Sequence, residues 1–371
     1  MQGFATDRFA PMRAVFEDWF ASGAEVGASV CVTVDGETVV DLWGGFADAD
    51  RTRPWQRDTI INVYSVTKTL TALTALLVAD RGEIDVAAPV SRYWPEFAAN
   101  GKECVTVAHV LSHSSGLSGW AQPVSATDLY DWEKMTALLA AQAPFWEPGT
   151  ASGYHGLTQG YLVGEVIRRV TGRTLGTVFR EELAEPLGAD FHIGLPAAED
   201  ARVADLVPPT SDASPFAHPT ALQTNAETNP HHDVADTRTR AWRGAEIPAV
   251  NGTGNARAVA TALAVLACGG VAGGRRLLSE AGCRRALEVQ VEGRDLILGM
   301  PLRFGLGFAV AGGMMPNPNT LHWGGRGGFL AIVDLDARTT FAYAPNRMAD
   351  SIADVRGFGL AMAMWEAMDL L

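Results

Sequence analysis

The chain has 371 residues, a formal net charge of −13, and 47% hydrophobic against 19% charged residues. That balance describes an ordinary folded protein long enough for two lobes, without low-complexity or disordered composition. The negative charge argues against nucleic acid or an anionic membrane surface as a partner, and no apolar run approaches the roughly 20 residues of a membrane span.

The opening Met1 to Arg8 has no basic segment leading into an apolar run, so a cytoplasmic location is expected. Phe9 to Phe20 reads as a helix, because Phe9, Met12, Val15, Phe16 and Phe20 recur at a spacing that covers one face. Ala28 to Val34 and Thr38 to Trp43 read as valine-rich strands around Asp35-Gly36, a hairpin turn signal. A helical run follows from Ser65 to about Asp80, with Leu70, Leu73, Leu76 and Leu77 at helical spacing and Gly82 as its stop. Beyond it, Val105 to Leu111, Lys134 to Ala143, Gly160 to Thr171 and Arg180 to Leu187 read as helices. Val207 to Ile247 is rich in Pro, Thr, Asp, Asn and His and reads as a long surface excursion.

Ala256 to Cys268 is again a helix, stopped by Gly269-Gly270. Strand signals return in Phe304 to Val310, Phe329 to Leu335 and Thr339 to Ala344, and Ile352 to Leu370 reads as a closing helix. Strands near both ends with helices between predict an α+β fold. One antiparallel sheet would be built from both chain ends and faced by terminal helices, with a mainly helical lobe inserted. The expected lobes are residues 1–82 with 256–371, and residues 83–255. The site would lie in the cleft between them, where the Ser65 helix starts.

Four cysteines (Cys31, Cys104, Cys268, Cys283) are scattered without Cys-x-x-Cys spacing and read as buried thiols rather than a catalytic or metal set. The stretch that carries chemistry is Ser65-Val66-Thr67-Lys68. The chain has three lysines, Lys68, Lys102 and Lys134, and a chance Ser-x-x-Lys arises in about one such chain in ten, so context must carry the assignment. A residue three after Ser65 lies on the same helix face, where its amine can reach the hydroxyl. Burial lowers a lysine pKa, and a neutral amine can accept the proton of a serine nucleophile. The helix start favours negative charge developing there. The blander account is a serine at a helix start and a lysine with its head in water.

A serine–lysine pair also needs a second proton carrier and an oxyanion hole. Tyr154, in the turn-rich stretch Trp146 to Gly156, is a candidate for the first, and the glycine-rich Leu321 to Gly328 for the second. Taken singly, a packing tyrosine and a bulged strand account for them equally well. Together and in this order they resemble the serine β-lactamase and penicillin-recognising superfamily, nearest its esterase branch, the class-C-like family VIII carboxylesterases. Ser65-x-x-Lys68, Asp85 to Val90, Leu111 to Leu117, Pro148-Gly149 before Tyr154-His155, Pro186-Leu187-Gly188 and Asn251-Gly252 before the Ala256 helix carry the resemblance over nearly the whole chain.

The resemblance implies that Ser65 is acylated, that Lys68 accepts its proton, and that Tyr154 shuttles protons to the leaving group. A phenol needs a nearby cation to act as a base at neutral pH, and Lys68 is the expected source. The third motif falls on Trp323-Gly324-Gly325, although His322-Trp323-Gly324 also fits. The first register gives the oxyanion hole the amides of Ser65 and Arg326, the second those of Ser65 and Gly325. Glycine follows Tyr154-His155 where class C β-lactamases have asparagine, and no lysine stands in the third motif. These are the positions that grip the amide and carboxylate of a β-lactam or peptide, so their change points to neutral esters, with Arg326 as a partial substitute cation. Glu165 is followed four later by Arg169 instead of asparagine, which sets aside the class A mechanism.

The implied function is therefore a serine carboxylesterase acting on a small-molecule ester without a cofactor or metal, with a β-lactamase or D-amino-acid peptidase as alternatives. Trp120, Trp132, Trp146 and Trp323 are candidates for an apolar acyl pocket, some of them necessarily core. An α/β-hydrolase is set aside because no Gly-x-Ser-x-Gly occurs. His231-His232-Asp233 and the pair His109, His113 are weak metal candidates, better read as a polar loop and helix-end packing. Oligomeric state leaves no trace in the sequence.

Overall fold

The computed structural model describes residues 1–210, 216–313, 315–350 and 354–371. Among these, nine strands form one antiparallel sheet drawn from both chain ends. In spatial order they are Gln2–Ala5, Glu37–Gly45, Gly27–Val34, Thr339–Pro345, Phe329–Asp334, Thr320–Gly325, Ala309–Val310, Pro301–Phe304 and Val291–Arg294. The ends meet where Gly27–Val34 pairs with Thr339–Pro345, with Cys31 opposite Ala342.

Side chains on these central strands alternate between two buried faces. Val30, Val32, Phe341 and Tyr343 pack with Met12, Phe16 and Trp365 of the terminal helices Ala10–Ala21 and Val355–Ala367. Cys31, Ala342 and Ala344 face the other way, and their small size lets helix Ala256–Ala267 lie close on the sheet. This is the α+β sheet-and-helix architecture the sequence predicts.

Helix Thr67–Asp80 sits deeper than its apolar spacing suggests. Every residue from Thr67 to Ala79 is buried, the polar ones included. Its threonines solve the problem locally: Thr69 and Thr74 donate to Val66 O and Leu70 O at 2.7 Å, and Thr71 donates to Pro248 O at 2.6 Å. A buried hydroxyl left without a partner would cost about 1–3 kcal/mol.

Between residues 107 and 187 the chain is mainly helical, with Val107–Leu111, Trp132–Ala141, Thr158–Thr171 and a continuous run from Leu175 to Leu187. A small sheet of Ile61–Asn62, Thr253–Gly254 and Phe191–His192 ties the segment before Ser65 to strands on the far side of the helical stretch.

The structure departs from the sequence reading in four places. Phe304 to Val310 is not one strand: it turns back on itself so that Phe304 pairs with Ala309. Gly307, at φ +89°, makes the turn, and a Cβ there would stand 2.2 Å from that of Ala72. The edge strands Gln2–Ala5 and Val291–Arg294 carry no apolar alternation that announces them. The excursion from Val207 to Ile247, whose residues 211–215 lie outside the described ones, holds helices Ala221–Thr228 and Arg240–Gly244, anchored by buried Gln223 and Trp242. The closing helix is described from Val355, and Ile352, its expected start, lies outside the described residues. No helix among the described residues is long and apolar enough to cross a membrane.

Candidate active site

Ser65 is half-buried in a short 3₁₀ turn, Tyr64–Val66, that feeds the buried helix. Tyr64 has φ +44°, a left-handed backbone that costs a non-glycine residue about 1–3 kcal/mol unless its surroundings hold it. Thr67 supplies the hold. Its hydroxyl donates to Tyr64 O at 2.5 Å and accepts the amide of Gly252 at 2.9 Å. A Cβ on Gly252 would come within 2.6 Å of that hydroxyl. Asn251 next to it is buried, accepting from Ile247 N and donating to Trp242 O and Ala245 O. The Asn251-Gly252 pair thus braces the serine turn from behind.

Lys68 Nζ lies 3.2 Å from Ser65 Oγ, 2.8 Å from Gly156 O and 2.9 Å from Ala249 O. The side chain is fully buried, and desolvation holds its pKa well below the usual lysine range. A neutral amine has two hydrogens and one lone pair. The two carbonyls take the hydrogens, which leaves the lone pair facing Ser65.

The Tyr154 hydroxyl donates to Ser65 Oγ at 2.6 Å, and Trp323 Nε1 donates to the Tyr154 oxygen at 3.3 Å. Burial raises the Tyr154 pKa above that of a free phenol. Both shifts run against a charged Lys68 beside an ionised Tyr154. Burial thus favours the neutral form of each group.

The loop around Tyr154 has no regular structure and is held by its neighbours. Gly153 N donates to His113 O at 2.9 Å, His155 N to His113 Nδ1 at 3.1 Å, and Tyr154 N to Asp295 Oδ1 at 3.1 Å. The His113 ring packs 4.9 Å from that of Tyr154, and Phe304 and Trp323 complete the wall. His155 donates from Nδ1 to Gly153 O, and its Nε2 meets Ser115 Oγ at 2.7 Å and Leu117 N at 3.3 Å. Burial lowers the His155 pKa to about 3 and that of His113 well below the usual value, so both are neutral. Neither His113 nor Asp295 was marked by the sequence as a support for Tyr154. His113 lies in the quoted Leu111 to Leu117 stretch, whereas nothing local points to Asp295.

Strand Thr320–Gly325 ends against the serine turn. A Cβ on Gly325 would stand 2.6 Å from Val63 O and 3.4 Å from Ser65 N, so only glycine fits. Leu321, Trp323 and Gly325 share the face turned toward the Ser65 helix, as alternation requires. His322 is opposite Ile332, whose side chain belongs to the terminal-helix face. Of the two candidate first residues of the motif, Trp323 is thus the one on the site's face. Gly324 and Arg326 are exposed at the strand end, and the charge of Arg326 bears on His232.

Other candidates do not join this group. Trp120 is core, Trp132 donates to Glu165, and Trp146 packs behind His155 with its Nε1 on Ala151 O, so of the four tryptophans only Trp323 touches Tyr154. Glu165 is tied up by Arg168 and Arg169. His109 closes a capping box with Thr106, and His232 stacks on Trp242. No cluster of metal-ligating side chains occurs among the described residues. Cys104 is exposed, unlike the other three cysteines.

A serine hydroxyl held between a buried neutral lysine and a tyrosine, at the edge of a glycine-ended strand, is the equipment of a serine hydrolase. Residues 12–359 match the family model described as Beta-lactamase, and the chain belongs to that family. It is 36% identical to the esterase/beta-lactamase LipL of Mycobacterium tuberculosis, over 96% of this chain and 86% of that one. The crystal structure of a family VIII carboxylesterase superposes with a TM-score of 0.94 at 43% identity, covering 99% of both chains. A penicillin-binding protein homolog from Caulobacter crescentus gives 0.93 at 39% identity, again over 99% of both. The chain is thus a serine hydrolase of the β-lactamase-like type.

Proposed function

We propose that this hydrolase is a carboxylesterase that cleaves short-chain neutral esters through an acyl-enzyme on Ser65. The observation that carries the reading is the indole of Trp323 beside the Tyr154 hydroxyl, where a β-lactam-binding site would present a lysine. An indole N–H can donate a hydrogen bond but offers no charge to a substrate carboxylate.

Lys68 takes the Ser65 proton as Oγ attacks the ester carbonyl. The amides of Ser65 and Arg326 receive the oxyanion; the inward-facing Trp323, as first residue of the third motif, supports Arg326 over Gly325. The proton then passes through Tyr154 to the leaving alkoxide, and water enters by the reverse route to release the acid. The site lies in a cleft between a sheet lobe, residues 1–82 and 256–371, and a helical lobe, residues 83–255. Ser65 and Trp323 stand on the first and Tyr154 on the second. The apolar wall of Phe304, Trp323, Leu298 and Leu302 suits acyl chains of about two to six carbons rather than long lipids. Cephalosporins, with a better leaving group, are cleaved weakly, and penicillins poorly.

The four unpaired thiols support a reducing compartment, here the cytoplasm. The net charge of −13 supports a small-molecule substrate over nucleic acid. A panel of nitrophenyl esters with one chromogenic cephalosporin tests the substrate class. The expected order by kcat/KM is butyrate well above both the long-chain esters and the cephalosporin. A cephalosporin value above that of the butyrate ester would make the enzyme a β-lactamase.

A further inference from the structure

We propose that Asp295 is a positioning residue for Tyr154, fixing its hydroxyl against Ser65 from a loop 141 residues further along the chain. The proposal rests on the Ser65–Tyr154 reading above and deepens it.

Asp295 follows strand Val291–Arg294 and is 1% exposed. Its Oδ1 accepts three backbone N–H bonds, from Ile297 at 2.9 Å, Leu298 at 2.8 Å and Tyr154 at 3.1 Å. The first two close a local turn of the kind aspartate often makes. The third leaves the loop entirely and lands on the peptide N–H of the proposed proton carrier. Leu296 N adds a bond to Ser152 O at 2.8 Å, so the 295–298 loop holds the tyrosine segment at two points. From the far side, Gln223 Nε2 donates to Ile297 O at 2.9 Å and steadies the loop itself.

The arrangement is costly for a purely structural turn. Asp295 Oδ2 is buried with no partner among the described residues, and a buried polar oxygen without one is disfavoured. What its Oδ1 gains is a hydrogen-bonded hold on a peptide that no helix or strand constrains. The hydroxyl of Tyr154 sits at the end of a long lever. A tilt of its backbone by roughly 10° moves the oxygen about 1 Å, and misplacements of that size can cost about 100-fold in rate. The His113 contacts fix the neighbours, Gly153 and His155, while Asp295 fixes Tyr154 itself.

The experiment is a double-mutant cycle on the full chain with a nitrophenyl butyrate assay, rates being normalised to folded protein by near-ultraviolet circular dichroism. Asp295→Ala should lower kcat about 30-fold and leave KM within about threefold, because the bond acts on the proton carrier and not on substrate binding. Asp295→Asn keeps the accepting oxygen and should recover kcat to within about threefold of wild type. In a Tyr154→Phe background, Asp295→Ala should add no more than about threefold, because the hydroxyl it positions is gone. Wild-type-like kcat in Asp295→Ala, an Asn variant no better than Ala, or the full loss in the Phe background would each overturn the proposal.

If Asp295→Ala does not fold, Asp295→Glu decides. It keeps an acceptor but displaces it by roughly one bond length, so turnover should fall while the melting temperature holds. Unchanged turnover there would overturn the proposal. Full turnover in Tyr154→Phe alone would instead remove the reading beneath it, a result distinguishable from any failure of Asp295.

Discussion

The two sides of the serine are held in opposite ways. Lys68 belongs to a helix buried on every side from Thr67 to Ala79, and Ser65 to the short turn that feeds it; the helix's polar groups are satisfied by its own turn or by neighbouring carbonyls. Tyr154 belongs to a loop with no regular structure, held by His113 and Asp295 from distant parts of the chain. Packing fixes the proposed nucleophile and its proposed base; directed hydrogen bonds fix the proposed second proton carrier. The lesson is that mutations on the two sides should separate stability from turnover.

Removing the chemistry on the helix side gives the largest effect. Ser65→Ala and Lys68→Ala should each cost about 1,000-fold or more in kcat, and the double variant should be little worse, because groups acting as a unit are not additive. More than about a tenth of wild-type turnover in Ser65→Ala would contradict the mechanism.

The sharpest contrast pairs Tyr154→Phe with Leu73→Ala. Tyr154→Phe should lose about 100-fold or more in kcat with little change in unfolding free energy, since it deletes one hydroxyl and keeps the ring stack. Leu73 is fully buried in the helix and carries no group that could take part in the proton transfers. Its loss should cost about 2–5 kcal/mol of stability and leave kcat per folded molecule near wild type. Denaturant melts and esterase rates on both variants decide it; equal behaviour in both assays would erase the distinction.

A smaller effect comes from pH. Folded His155 titrates at about 3, below its unfolded value of about 6.5, so the unfolded chain holds the extra proton between those limits. Its stability contribution is full above about pH 6.5 and is lost as pH falls, by up to about 1.4 kcal/mol per pH unit, and buried His113 acts in the same direction. Glu25, raised to about 8 by burial, binds its proton more tightly when folded and offsets one histidine's share. The melting temperature should therefore fall from pH 6.5 to pH 5; a flat profile would mean that the tyrosine wall is not neutral. The smallest expected effect is none: dialysis against a chelator should leave turnover unchanged, and a loss restored by zinc would redirect attention to the histidines.

What the sequence could and could not announce follows the same division. The Ser65 helix was legible because leucines at helical spacing and a terminal glycine are local signals. The central strands were legible from valine-rich alternation. The hairpin inside Phe304 to Val310 was not, because Gly305 and Gly307 also pass as residues of one short strand, and only the fold shows Gly307 at positive φ with no room for a Cβ beside Ala72. Gln2–Ala5 takes its strand form from pairing with Val40 to Trp43 rather than from its own residues. The excursion did hold a readable start: Thr220 and Gln223 form a capping box, a pattern visible in sequence. At the site, Ser65, Lys68 and Tyr154 were named from motif order, and the structure brings Lys68 and Tyr154 each within hydrogen-bond reach of Ser65. Asp295 and His113 escaped because a hydrogen bond across the chain leaves no periodicity. The neutral state of Lys68 and Tyr154 also depends on burial that no local pattern reports.

The central claim, that Ser65 is the acylated nucleophile, is tested most directly by intact-mass measurement after brief exposure to a fluorophosphonate. Peptide mapping then locates the adduct. The account predicts one adduct per chain, on Ser65, and none in Ser65→Ala. An adduct on another serine, or undiminished labelling of the Ser65→Ala variant, would contradict it.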